Sequence, residues 1–111
     1  MQPLSGVRVL DLSRILAGPH AAQTLSDLGA EVLKLEAPWG DDTRSWGPPF
    51  QVGFDGEEVA AYFLSCNRGK RIETVNIKQE QKRIQALVAD ADIVVENFKP
   101  GTFDAIVGEV P

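Results

Sequence analysis

A chain of 111 residues with 43% apolar and 24% charged side chains has the balance of a folded globular domain, and is too short for a typical multidomain enzyme. Its 11 Lys and Arg against 16 Asp and Glu leave a formal charge of −5, with the basic residues scattered, which argues against nucleic acid as a partner. The single Cys66 excludes an internal disulfide, the N-terminus lacks the features of a secretory signal, and no apolar run approaches the ~20 residues that span a bilayer, so a cytoplasmic protein with no membrane partner is expected.

The run Val7, Val9, Leu10 and Leu12 reads as a strand buried on both faces of a parallel sheet. A loop follows to Gly18, and Pro19 suits the first turn of a helix because its missing N–H needs no partner there. Ala21, Ala22, Leu25 and Leu28 recur at helical spacing, and Gly29 supplies a left-handed C-terminal cap. Residues 31–36 alternate Val32, Lys34 and Glu36 with Leu33 and Leu35, and read as a second strand reached by a right-handed parallel crossover.

Residues 37–55 have the composition of a long loop, with Pro38, Pro48, Pro49, Gly40, Gly47 and Gly53. Trp39, Trp46, Phe50 and Phe54 are expected to order it against a surface, because disordered segments are poor in aromatics. A helix is predicted over 57–66 with Ala60, Ala61, Phe63 and Leu64 inward, ended by Asn67, Arg68 and Gly69. A strand over 72–77, an amphipathic helix over 78–89 presenting Ile84, Leu87 and Val88, and a buried strand over 93–96 follow. A last helix begins after Gly101 and is interrupted by Gly108 and Pro111. The fold class is therefore α/β: an incomplete Rossmann-like, mostly parallel sheet of about four strands with flanking helices, part of a larger domain.

Open α/β sheets bind ligands beyond the carboxyl ends of their strands, so chemistry is sought there. The turn from Ser13 to Pro19 offers backbone N–H groups and a helix dipole to an anion or polar ligand. It is not GxGxxG, since a single glycine precedes proline, and a purely structural strand-to-helix turn explains it equally well. Asn67-Arg68-Gly69-Lys70-Arg71 could hold phosphates, or form a solvated turn whose cations complement the preceding helix. In Glu96-Asn97-Phe98-Lys99-Pro100-Gly101, Phe98 could stack on a planar ring and Asn97 bond to it, although a turn with a core aromatic is the simpler reading.

His20 has neither ligand-spaced neighbours nor an orienting partner, so no metal site and no general base are expected. Asp41 and Asp42 are adjacent, point in different directions and make a poor acid/base pair. Asp11 is expected to bond to nearby loop amides, and Cys66 to be a small half-buried residue rather than a catalytic thiol.

Three segments, GVRVLDLSRILAGPHAAQTLSDLGAEVLKLEAPWGDDTRSWGPPF, AAYFLSCNRGKR and DADIVVENFKPG, resemble in order and spacing the N-terminal part of the class III CoA-transferases, the formyl-CoA and carnitine CoA-transferase family. GDDTRSWGPPF is most similar to the branch acting on dicarboxylic acids such as succinate and glutarate derivatives. The resemblance implies a Rossmann-like large domain, an interlocked homodimer, and acyl transfer through mixed-anhydride and thioester intermediates on an aspartate. It implies an acyl-CoA and a carboxylic acid as substrates, coenzyme A as a substrate, and no tightly bound cofactor. By the same resemblance, Leu16 and Ala17 would border the thiol end of CoA. Val75, Asn76, Ile77 and Lys78 would lie along its nucleotide, with Lys78 as a phosphate partner, and Asn97, Phe98 and Lys99 would contact it after the last strand.

Ala37 stands where some members of the family place a phosphate-binding arginine, and Ala105 where another arginine often follows. The family's nucleophilic aspartate, glycine-rich loop and small domain are expected beyond residue 111, so no catalytic residue is assigned here. The tail from Asp104 to Pro111 departs from the family pattern and reads as a divergent, frameshifted or truncated end. A chain of this extent is expected to be inactive alone and poorly stable, with an unpaired sheet edge. A relative of the α-methylacyl-CoA racemases, a non-catalytic CoA- or nucleotide-binding module, and a gene remnant without function are the alternatives.

Overall fold

The computed structural model describes residues 2–53 and 55–108. Phe54 and the end of the tail, including Pro111, lie outside the described residues. The described chain runs β1 (Arg8–Asp11), α1 (Ala17–Asp27), β2 (Glu31–Glu36), a 3-10 turn (Asp42–Ser45), β3 (Phe50–Val52), β4 (Glu58–Ala60), α2 (Ala61–Ser65), β5 (Arg71–Thr74), α3 (Gln81–Asp90), β6 (Ile93–Val95) and α4 (Thr102–Val107).

β1, β2, β5 and β6 form a four-stranded, wholly parallel sheet in the order β5-β2-β1-β6. Leu10 lies opposite Leu33 on one side and Val94 on the other. Successive side chains of a strand leave on opposite faces, and the sheet is packed on both. Val9 and Val32 meet Ala22 of α1 on one face, while Leu10, Leu12, Leu35 and Val75 meet Ile84 of α3 and Ile106 of α4 on the other. The protein is thus α/β, with helices on both faces of a parallel sheet.

Counted in chain order, the four strands lie 3-2-1-4 across the sheet. Its switch point, where the chain turns from building leftward to building rightward, falls between β1 and β6.

α1 stops where the sequence says it should. Gly29, at φ +101°, donates to Ser26 O at 3.0 Å, and Ala30 donates to Leu25 O at 3.1 Å, the paired bonds of a Schellman cap. The inward face of α1 is narrower than its spacing predicts: Ala22 is buried, but Ala21 and Leu28 are exposed.

The region after β2 differs from expectation. The first half of the helix predicted over 57–66 is instead β4, which pairs antiparallel with β3, Gln51 opposite Val59. Only Ala61–Ser65 is helical, with Phe63 buried and Leu64 turned outward. Cross-strand bonds to β3 hold residues 58–60 extended, a partner that helical periodicity alone does not reveal. The aromatics here do not all seek cover either: Trp39 is 76% exposed, whereas Trp46 meets Tyr62 edge-on with ring centroids 5.4 Å apart. No helix among the described residues is long and apolar enough to cross a membrane.

Candidate functional site

The carboxyl ends of the four parallel strands bring the candidate residues into one row. From one end of the sheet to the other they are Val75 to Lys78 after β5, Ala37 after β2, the turn with Leu16 and Ala17 after β1, and Asn97 to Lys99 after β6. The switch point lies between the last two groups, where such sheets open a ligand crevice.

The turn after β1 is built by a close approach. A Cβ on Gly18 would collide with the Cβ and Oγ of Ser13, so only glycine lets the first turn of α1 lie against the end of the strand. Ile15 has φ +74°, a left-handed conformation that is costly for a β-branched residue. Leu16 occupies the cap position, no side chain among the described residues caps this helix end, and Pro19 has no N–H. Leu16 and Ala17 are exposed here.

Beneath this turn lie two buried ion pairs. Lys70 Nζ bonds to Asp11 Oδ2 at 2.8 Å, Pro19 O at 2.9 Å and Asn67 Oδ1 at 3.0 Å, so all three of its donors are used. Asp11 Oδ1 accepts from the Ser13 amide at 2.9 Å and from the Ser13 hydroxyl. Lys34 Nζ bonds to Ser13 O at 2.9 Å and Asp41 Oδ2 at 3.2 Å. Asp41 also accepts from Thr43 N at 3.0 Å, Thr43 Oγ1 at 2.8 Å and Ile15 N at 3.3 Å. Glu36 takes Arg44 by a two-bond fork at 2.8 and 2.9 Å, and Arg44 lies 4.1 Å from the centre of the Phe63 ring. Cations and anions balance, which is the condition for burying them at all.

Burial lowers the Lys70 ammonium below its ordinary pKa, although Asp11 pulls it back part of the way, and the positive charge of Lys34 adds to the depression. Burial alone would raise the Asp41 carboxyl. The Thr43 amide and hydroxyl, together with Lys34, outweigh that effect and leave it below the usual value.

Across the crevice, the Asn97 side chain joins both sides of the switch point. Its Nδ2 donates to Arg14 O at 2.8 Å, and its Oδ1 accepts from Arg14 N at 3.2 Å. Phe98 is partly buried against the core cluster that contains Leu12 and Ile106, and Lys99 is exposed. At the other end, Val75 is buried in the core. Asn76 Oδ1 accepts from Lys78 N and Gln79 N, closing the turn into α3; Ile77 packs on the core and Lys78 is exposed. The Asn76 amide in turn holds the Glu80 carboxylate below its ordinary pKa.

The basic turn 67–71 is solvated at Arg68 and Arg71, but Lys70 turns its side chain inward. Lys70 is fully buried under Asp11, Arg68 pairs with Asp27 at 2.9 Å, and Arg71 pairs with Glu73. Cys66 is fully rather than half buried. Asp11 does bond to the loop amide as expected, and Asp41 points inward while Asp42 is exposed. Lys34, Thr43 and Lys70 are the structural members of this site that pattern reading missed. The one available signal was a pair of charges, Lys34 and Glu36, inside a strand otherwise reading as fully covered.

A cavity of about 480 Å³ opens at the opposite, amino ends of the strands, beside Arg8, Leu10, Glu31, Leu33 and Arg71. Gly69 and Arg71 of the basic turn line it, but it lies at the opposite end of the strands from the row that holds the other candidate residues.

A profile described as CoA-transferase family III matches residues 4–107. The succinate–glutarate CoA-transferase of Agrobacterium fabrum is 52% identical over 101 residues, covering 87% of this chain and 25% of that protein. The succinyl-CoA:glutarate CoA-transferase of Homo sapiens is 51% identical over 109 residues, covering 96% of this chain and 24% of that protein. The crystal structure of a CaiB/BaiF family protein from Brucella suis superposes with a TM-score of 0.92 at 52% identity, covering 98% of this chain and 29% of the other. The chain therefore spans about a quarter of the length of the curated relatives it matches. With the match running from the residues before β1 to the end of α4, the chain belongs to CoA-transferase family III.

Proposed function

We propose that this chain is the N-terminal, CoA-binding part of an acyl-CoA:carboxylate CoA-transferase that exchanges CoA between an acyl-CoA and a dicarboxylate of the succinate or glutarate kind. The observation that carries the reading is the single row of Leu16, Ala17, Ala37, residues 75–78 and residues 97–99 along the carboxyl edge of a sheet whose family match is nearly end to end. The relatives named for succinate and glutarate support the dicarboxylate class.

In this reading the thiol end of CoA lies at Leu16 and Ala17, and the exposed Lys78 and Lys99 meet its phosphates as point charges. The chain alone is inactive. Asp11 and Asp41, the two carboxylates directly beneath the turn, are buried and held in ion pairs, so neither presents an oxygen to a ligand in the crevice. The attacking carboxylate is supplied by another part of the enzyme, in an interlocked homodimer.

A hybrid tests this directly: residues 4–107 replace the matching quarter of the Agrobacterium fabrum enzyme, and exchange between succinyl-CoA and glutarate is measured. Exchange by the hybrid, with none by the 111-residue chain alone, is expected. A folded hybrid without exchange overturns the reading.

A further inference from the structure

The Lys34 and Asp41 pair has a consequence beyond holding charge in the core. Asp41 belongs to the segment after β2, yet its carboxylate reaches the amide of Ile15, 26 positions earlier, at 3.3 Å. Lys34, on the neighbouring strand, bonds to that same carboxylate and to the carbonyl of Ser13, so the residues flanking Arg14 are tied from below at two points. Thr43 fixes the other carboxylate oxygen by two bonds, leaving Asp41 little freedom to turn away. Between these ties sits Ile15 at φ +74°, the one non-glycine residue with positive φ among those described. An unrestrained isoleucine would leave that conformation, because its Cβ crowds the backbone there. Relaxation would swing Leu16 and Ala17, the next two residues, off the mouth of the crevice.

We propose that Asp41 is a positioning residue for the CoA crevice: gripped by Lys34 and Thr43, it holds Ile15 in left-handed geometry and so presents Leu16 and Ala17 to the ligand. It touches no substrate itself, being buried, and acts only through Ile15. The inference rests on the reading of this edge as the CoA crevice. A purely structural role for the pair would lower stability without depending on what stands at position 15. A positioning role makes that residue decisive, since glycine occupies left-handed geometry without penalty.

The test is a double-mutant cycle of D41N and I15G in the hybrid transferase, with kcat/KM for succinyl-CoA taken per folded molecule, alongside the Ile15 φ read from crystal structures of the hybrid and its D41N variant. D41N is expected to lower kcat/KM about tenfold with isoleucine at 15, and by about threefold or less with glycine there. It is also expected to shift φ of Ile15 to negative values. Equal losses in both backgrounds, or an unchanged φ in D41N, overturn the proposal. If D41N does not fold, T43V, which removes one of the two bonds to Asp41 Oδ1 and leaves the backbone one, is read in the same cycle against the same outcomes. An inactive unmutated hybrid would instead count against the CoA-transferase reading, while the φ measurement still decides the role of Asp41.

Discussion

Lys70 Nζ lies 2.8 Å from Asp11 Oδ2, and both side chains are wholly shut off from water. The pair ties the turn before β5 to the end of β1 across 59 positions of sequence, and it also secures the first turn of α1 through Pro19 O. Removing one partner leaves the other as an uncompensated buried charge. K70M should therefore cost about 3–5 kcal/mol in urea denaturation. Adding D11N should recover part of that loss, because the second change removes the stranded charge. A K70M chain as stable as the parent would contradict the account of this pair.

Asp41 gives the protein an acid-sensitive component. Its folded-state pKa lies below the ordinary 3.8, despite burial, because Thr43 and Lys34 favour the charged form. The stability it confers is therefore present above about pH 4 and is lost as pH falls through the folded pKa. Between roughly pH 5 and pH 2, D41N should lose less stability than the parent, since the titrating group is gone. Parallel acid curves for the two proteins would remove Asp41 from this role.

Gly18 is required by contact rather than by its backbone angles. G18A should destabilise by about 1–3 kcal/mol, the usual range for overpacking. S13G removes the atoms that the new methyl would strike, so the double variant should be more stable than the sum of the two single changes predicts. Simple additivity would mean that the strand end and the helix do not press on each other here.

In the proposed function the exposed Lys78 and Lys99 meet the CoA phosphates. In the hybrid transferase, K78A and K99A should each raise KM for succinyl-CoA about two- to fivefold at low salt, the modest effect of an exposed ion pair. The difference from the parent should shrink as ionic strength rises. Effects on kcat alone would place these lysines elsewhere.

The opening strand, helix and strand were legible almost residue by residue. The apolar run of β1, the alternation of β2 and Gly29 as a cap act locally and the structure keeps them, whereas the inward face of α1 narrows to Ala22, with Ala21 and Leu28 exposed. Residues 58–60 were misread because their extended state depends on pairing with residues 50–52, which no short-range pattern specifies. The gathering of the candidate residues at the strand ends followed from the order of elements. Its floor did not: Lys34 read only as part of an alternating strand and Lys70 as a phosphate holder or a cation of a solvated turn, and their burial becomes intelligible only once Asp41 and Asp11 are seen beneath the same turn. Asn97 is a related case, since its side chain is engaged by Arg14 on the far side of the switch point. Charges and amides that meet across long sequence separations leave no periodic trace.

The most direct measurement is a crystal structure of the hybrid transferase with coenzyme A bound. The account predicts CoA along the carboxyl edge, its thiol end at Leu16 and Ala17 and its nucleotide beside residues 75–78. CoA lodged instead in the cavity at the amino ends of the strands, beside Arg8, Glu31 and Arg71, would contradict it.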